Sequence, residues 1–458
     1  MMLLSEAASA MQAKLFGKDA LFTSVGTDSR NITKGQLFVA LKGDSFDGHD
    51  YAVQALQQGA AAVLVAKPNA SLASALVVED TYLALGALAT YWRKKFAVPI
   101  VAVTGSNGKT TVKEMLAAIL AVKASNAEAI HATSGNLNNH IGLPLTILKL
   151  RANHQYAVLE MGMNHLGEID YLTRITQPTV AVINNAGSAH IGELGSRDNI
   201  AKAKGEIFAG LSDAGTAVIN ADDTYAAYWK SLNEGKKIVT FAISKPADVR
   251  AKYQESGGLS LVQLTTPQGD ICFKLNVLGA HNISNALAAS AVAVALGVSN
   301  ANIASGLEHF AGVKGRLQRK HGLNNAVLID DTYNANPDSM KAAIDVLAHQ
   351  SGEKIVVLGD MGELGVEAKR LHMDIGAYAK AAGLSKLYCL GELSVEIARG
   401  FGAGAHHYAT PLAIAEAIKP WLSQGRTVLV KGSRFMKMER VVDLLEDKLN
   451  ETVMLKDQ

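Results

Sequence analysis

Residues 99–111 read Pro-Ile-Val-Ala-Val-Thr-Gly-Ser-Asn-Gly-Lys-Thr-Thr. Ile100 to Val103 form a short apolar run rich in β-branched residues, which predicts a strand buried in a parallel sheet. Gly105 and Gly108 then turn the chain, and Lys109 opens a helix. On that helix Val112, Met115, Leu116, Ile119 and Leu120 recur on one face. A strand, a glycine turn and a helix start aim several backbone N–H groups at one point, where the helix dipole also favours negative charge. Thr104, Gly105, Ser106, Asn107, Gly108, Lys109, Thr110 and Thr111 are therefore the candidate phosphate-binding loop for ATP. Lys109 supplies a mobile cation for the outer phosphates, and Thr110 offers a hydroxyl to magnesium. The pattern is a shortened one, Gly-x-x-Gly-Lys-Thr, because Val103 stands where the strict motif has its first glycine. A turn with a chance lysine is the bland alternative; the flanking strand and helix favour nucleotide.

The rest of the composition agrees with a large enzyme. At about 150 residues per domain, 458 residues predict three domains. Hydrophobic residues at 48% give ample core, and charged residues at 19% exclude a disordered chain. A net charge of +2 argues neither for nor against a polyanionic partner, and Arg93-Lys94-Lys95 reads as a solvated helix face. Cys272 and Cys389 form no CxxC motif, which argues against disulfides and structural zinc. Met1-Met-Leu-Leu-Ser-Glu6 lacks an export signal, and the apolar run Ala286 to Leu296 is too short to span a bilayer, so a buried helix and a cytoplasmic protein are expected.

Apolar runs alternating with helical periodicity predict an α/β chain in three parts, 1–81, 82–313 and 314–458. The first has short strands at Gln36 to Leu41, Ala62 to Ala66 and Ala75 to Val78, a helix around Tyr51 to Gln58, and a second helix from Thr81 to about Phe96 leading into the next part. The second, a mostly parallel sheet, has strands at Ile100–Val103, Tyr156–Glu160, Thr179–Asn184, Thr216–Asn220 and Lys237–Phe241. The third repeats the pattern at Ala326–Asp330, Lys354–Leu358, Lys386–Leu390 and Thr427–Val430, a second, Rossmann-like sheet. Asn336-Pro337 reads as cap and first position of a helix to about His349.

In open α/β sheets ligands collect beyond the carboxyl ends of the strands. Glu160 closes one such strand and is a candidate magnesium ligand, since that ion takes hard oxygen donors. His190 lies in the loop after Asn184-Asn185, and Lys204 follows in Ala-Lys-Gly-Glu-Ile-Phe. Singly, each has an ordinary reading as helix cap, loop histidine or solvated cation.

Together these residues resemble the Mur ligases, the ATP-dependent amide ligases of peptidoglycan precursor synthesis, over nearly the whole chain. Thr104-Gly-Ser-Asn-Gly-Lys-Thr-Thr111 is similar to the family's P-loop, and Glu160-Met-Gly162, the His190 loop and Ala203-Lys204-Gly-Glu-Ile-Phe208 to its metal-site elements. Gly279-Ala-His-Asn-Ile-Ser-Asn-Ala286 and Gly315-Arg316 resemble its adenine-side and hinge motifs, and Asp331 its ribose carboxylate. Asp28-Ser29-Arg30 and Gly43-Asp-Ser-Phe-Asp-Gly-His49 resemble its uridine-nucleotide domain. Gly135-Asn-Leu-Asn-Asn-His-Ile-Gly-Leu-Pro144, Asn334-Ala-Asn-Pro-Asp-Ser-Met340, Leu358-Gly-Asp-Met-Gly-Glu-Leu-Gly365 and Lys431-Gly-Ser-Arg434 resemble the branch that adds D-Ala-D-Ala to UDP-MurNAc-tripeptide. The Asp-Asn-Pro-Arg motif of the sister branch, which adds a diamino acid, is absent from the sequence.

The resemblance implies a small uridine-nucleotide domain, a central ATP-binding domain and a C-terminal domain that brings the acceptor. It implies ATP against Asn282, Asn285, Arg316 and Asp331, with Lys109, His190 and Lys204 catalytic. Two magnesium ions would be held by Thr110, Glu160, His190 and a carbamylated Lys204. Substrate would meet Ser29, Arg30, Gly43, Asp47, Gly48, His49, Asn136, Asn138, Asn139, Asn334 and Asn336. The implied partners are UDP-MurNAc-tripeptide and D-Ala-D-Ala, with no nucleic acid or membrane, for a monomer. A P-loop kinase or ATPase, and a nucleotide-gated binding protein, are the readings of other classes.

Overall fold

The computed structural model describes residues 1–67, 71–256 and 259–448. Three larger sheets follow one another along the chain, and residues 449–458 of the expected third part lie outside the described residues. The first sheet has the spatial order Lys14–Phe16, Ala75–Val77, Ala62–Val65, Gln36–Val39, Ser24–Gly26, parallel except at its first edge. The expected helix here is split, a 3-10 turn at Gly48–Tyr51 and an α-helix at Ala52–Gln57, and its successor runs Thr81–Arg93.

The central sheet has nine strands, with Ile100–Thr104 between Val180–Ile183 and Tyr156–Glu160. Every residue of Ile100–Thr104 is buried. Ile100, Ala102, Leu159 and Ile183 pack into the core on one face, and Val101, Val103, Val158 and Val182 into the core on the other. That is why the run is apolar throughout rather than alternating. The apolar stripe of helix Lys109–Ala124 is fully buried, and its neighbour Asn300–Glu308 lies so close that a Cβ on Gly306 would sit 2.4 Å from the Ile119 backbone.

The sheet is parallel through Val249, as expected, but continues into an antiparallel meander, Val249–Ser256, Leu259–Thr266 and Gly269–Leu275. Leu259–Thr266 alternates exposed and buried residues. A half-solvated strand of that kind carries no continuous apolar run, so the search for such runs passed over it. Ala286 to Ala295 belongs to the buried helix Ala280–Ala295, and Leu296 is its C-cap. Among the described residues no helix is long and apolar enough to cross a membrane.

The third sheet runs Gln318–His321, Val327–Asp331, Arg426–Lys431, Glu353–Gly359, Lys386–Leu390, Ala405–Tyr408, antiparallel only at its first pair. Alternate residues of its central strands feed two cores, Val356, Leu358 and Leu429 on one face, Ile355, Val357 and Val430 on the other. Register places Glu160 beside Val103, Ile183 beside Thr104 and Asp331 beside Lys431, so the polar ends of these strands gather around one cleft.

Candidate active site

A cleft of about 680 Å³ separates the glycine loop of the central sheet from the strand ends of the third. The loop is held from behind by asparagines. Asn184 donates to Asn107 O at 2.9 Å and to Asn285 Oδ1 at 2.8 Å, and Asn107 N donates to Asn185 Oδ1 at 2.9 Å. Asn285 donates in turn to Asn282 Oδ1. Gly108 adopts φ +80°, and a Cβ there would lie 2.1 Å from Asn285 Oδ1, so both conformation and space require glycine. Thr104 is buried beneath the loop, its hydroxyl donating to Met161 O, and Gly105 packs against Asn184.

Lys109 folds back over the loop and donates to Gly105 O at 2.7 Å, and burial lowers its pKa. Ser106, Asn107, Gly108, Lys109 and Thr111 line the cleft. Thr110 donates to Glu160 Oε2 at 2.8 Å, Asn138 to Glu160 Oε1 at 2.8 Å, and Arg316 to Thr110 Oγ1 at 3.0 Å. A hydroxyl, a carboxylate and an amide oxygen beside a phosphate loop suit magnesium, which takes one or two protein ligands and completes its shell with phosphate and water. No cluster of three His, Cys, Asp or Glu that could cage a metal exists among the described residues.

His190, at φ +63°, places Nδ1 2.8 Å from Glu363 Oε2, across the cleft. The His190 ring beside it holds the Glu363 carboxyl below the usual range. Lys204, 1% exposed on helix Arg197–Gly205, is not among the residues lining the cleft. Burial first, and the charge of Lys109 second, push its pKa well below the ordinary lysine value. A neutral amine is the form that can attack carbon dioxide, so the surroundings of Lys204 fit a carbamate.

On the facing wall Lys431 donates to Asp331 Oδ2 at 2.7 Å, while Leu317 N donates to Oδ1. Arg316 stacks over Tyr333 at 4.3 Å. Asn336 caps helix Pro337–Ala348 through Oδ1, as expected, and its amide also donates to Asn107 Oδ1 at 2.7 Å. Asn334, Asn136, Asn138 and Asn139 line the same cleft, with Asn139 Oδ1 accepting from Gly142 N at 2.9 Å. Asp338, Tyr333, Lys431 and Glu363 line the cleft as well, although the sequence assigns them no role; Asp338, Glu363 and Lys431 fall within the segments Asn334–Met340, Leu358–Gly365 and Lys431–Arg434, and Tyr333 in none of them.

The first-sheet candidates lie apart, and none of them lines this cleft. Arg30 pairs with Asp28 at 2.9 Å beside the half-buried Ser29. In the Gly43–His49 loop, Gly43 N donates to Phe46 O and Gly48 N to Leu41 O. His49 Nε2 accepts from Ala66 N, so Nδ1 carries the proton bonded to Asp47 Oδ1. Tyr82 donates to Lys42 O and stacks its ring near His140, which links this loop to the Asn136–Asn139 wall.

The Mur ligase middle domain matches residues 103–293, the Mur ligase glutamate ligase domain 315–434, and the Mur ligase family catalytic domain 21–124. The chain is 42% identical over 449 residues to the UDP-N-acetylmuramoyl-tripeptide–D-alanyl-D-alanine ligase of Escherichia coli K12, covering 97% of this chain and 98% of that one. It is 38% identical to the Bacillus subtilis enzyme of the same name, covering 93% and 94%. Its structure resembles MurF of Acinetobacter baumannii with TM-score 0.90 at 39% identity, covering 96% and 98%. MurF of Thermotoga maritima, solved with ADP, gives 0.83 at 30% identity, covering 94% and 98%.

Proposed function

This chain belongs to the Mur ligase family, and on that premise we propose that it joins D-alanyl-D-alanine to UDP-N-acetylmuramoyl-tripeptide at the cost of ATP. The observation that carries the reading is one cleft with a phosphate loop (Lys109, Thr110, Glu160) on one wall and the amide-rich loop Asn334–Asn336 on the other. Residues 1–81 hold the uridine nucleotide, 82–313 bind ATP and 314–458 bring the acceptor, in a cytoplasmic monomer.

A carboxylate is a poor acyl donor because oxide does not leave. An oxygen of the tripeptide carboxylate attacks the γ-phosphorus, ADP departs, and an acyl phosphate results. The acceptor amine then attacks the carbonyl carbon, and phosphate leaves with that same oxygen. Lys109 exchanges its bond to Gly105 O for phosphate oxygens and neutralises charge there. Arg316 stands on the phosphate side, Asp331 and Lys431 fix the ribose side, and Asn282 and Asn285 hold the base side together with the loop. Asn334 and Asn336 offer amides to the acceptor carboxylate. Closure of the third sheet against the loop excludes water, which matters because acyl phosphates hydrolyse. Thr110 and Glu160, and His190 with a carbamylated Lys204, would hold two magnesium ions, which would supply charge neutralisation.

The test is mass analysis after mixing ATP, UDP-MurNAc-tripeptide and equal D-Ala-D-Ala, D-alanine and diaminopimelate. D-Ala-D-Ala product should lead by well over about tenfold, since a missing polar partner in a built site is costly. A lead for diaminopimelate moves the chain to the sister activity. A phosphorylated product without amide identifies a kinase.

A further inference from the structure

Six carboxylates line the cleft, and five are already engaged. Glu160 accepts from Thr110 and Asn138; Glu168 from the backbone of Asn164 and His165; Asp223 from Ala186 N and Tyr225 N. Asp331 is paired with Lys431, and Asp338 accepts both N–H and hydroxyl of Ser188. Glu363 differs. Its side chain is 55% exposed, its one partner among the described residues is His190, and the Lys109 ammonium acts on it across the cleft. Its backbone is held at φ +62°, left-handed for a residue with a side chain, and its carbonyl accepts from Gly192 N. The loop is therefore pinned where it presents an accessible negative charge beside the phosphate loop.

An acceptor amine has a pKa near 8 and arrives at neutral pH largely as an ammonium. It must approach a wall bearing Lys109 and Arg316, both cationic. We propose that Glu363 is the group that binds this ammonium and, once the ammonium has lost a proton to water, keeps the neutral nitrogen aimed at the acyl phosphate, so that the site selects a free amine. The proposal rests on the dipeptide-ligase reading above. It complements Asn334 and Asn336, which would take the other end of the acceptor.

Glu363→Gln separates this role from a structural latch, because glutamine keeps an oxygen for the contact with His190 but carries no charge. With ATP and UDP-MurNAc-tripeptide present, the variant is compared with wild type for KM toward D-Ala-D-Ala. Acyl phosphate is followed separately by trapping with hydroxylamine as hydroxamate. D-Ala-D-Ala and its N-acetyl derivative are also compared as ligands. A lost charge-assisted bond should raise KM about tenfold or more, and raise the ratio of hydroxamate to ligated dipeptide as much. Wild type should prefer the free amine over the acetylated one, and Glu363→Gln should lose that preference. Wild-type KM and amine preference in the variant, or a parallel fall of hydroxamate and ligated product, overturns the proposal while leaving the ligase reading intact. Absence of dipeptide ligation by wild type overturns both.

Discussion

Lys204 and Lys431 are both buried lysines beside the same cleft, on opposite sides of it, and their surroundings are opposed. Lys431 ends a strand of the third sheet in register with Asp331, and the two form a bond of 2.7 Å, with Asn334 O a second acceptor for the lysine. Lys204 lies on a helix of the central unit with no ion pair among the described residues, and the charge acting on it is the like charge of Lys109. The paired Lys431 ties two strands together. A buried unpaired ammonium is cheaper neutral. The difference separates an architectural lysine from one whose free amine is available for chemistry.

The largest effect expected is on turnover. Lys109→Ala should lower ligation by about a thousandfold or more, because it removes charge at the transferring phosphoryl group. Lys204→Ala should be comparably inactive, with partial rescue by small carboxylic acids standing in for a carbamate. Full activity in Lys204→Arg would break the comparison, since arginine forms no such carbamate.

Stability should move in opposite directions at the two lysines. Lys431→Met leaves Asp331 buried without its cation and should destabilise by about 3–5 kcal/mol in denaturant unfolding. Lys204→Met removes a buried unpaired amine and should stabilise by about 1 kcal/mol, while abolishing activity. Equal losses at both would mean that Lys204 has a structural partner.

The pH dependence sharpens this. The folded pKa of Lys204 lies below the unfolded one, so between them the unfolded chain binds more protons and stability rises with pH. In carbon dioxide-free buffer, wild type should therefore gain on Lys204→Met from pH 8 to 10, by at most about 1.4 kcal/mol per pH unit. Parallel curves would contradict a depressed pKa.

A smaller effect belongs to Asn336. Asn336→Ala removes a helix cap and should cost about 1 kcal/mol in unfolding. Its bond to Asn107 reaches the phosphate loop, so KM for ATP should rise as well; a change in stability alone would leave the residue a cap.

The phosphate loop was legible because its chemistry is local: strand, glycines and helix follow one another within a dozen residues, and hydrophobic period identifies both flanks. Glu160 was legible because strand ends line the crevice of an open sheet. His190–Glu363 and Asp331–Lys431 join residues far apart in the chain, so no local period registers them, and only the packing of one sheet against another brings them together. The sequence offers Asn336 both as a cap and as a ligand; the cap uses its oxygen and leaves the amide free for Asn107. In the Gly43–His49 loop, turn residues satisfy one another, an outcome that composition alone does not distinguish from a ligand site.

The central claim is that the cleft activates a carboxylate by phosphorylation and passes it to an amine. Its most direct test uses UDP-MurNAc-tripeptide labelled with oxygen-18 in the terminal carboxylate, with ATP and D-Ala-D-Ala, and weighs the phosphate released. One labelled oxygen in each phosphate, in step with dipeptide ligated, is the predicted result. Unlabelled phosphate would contradict the account.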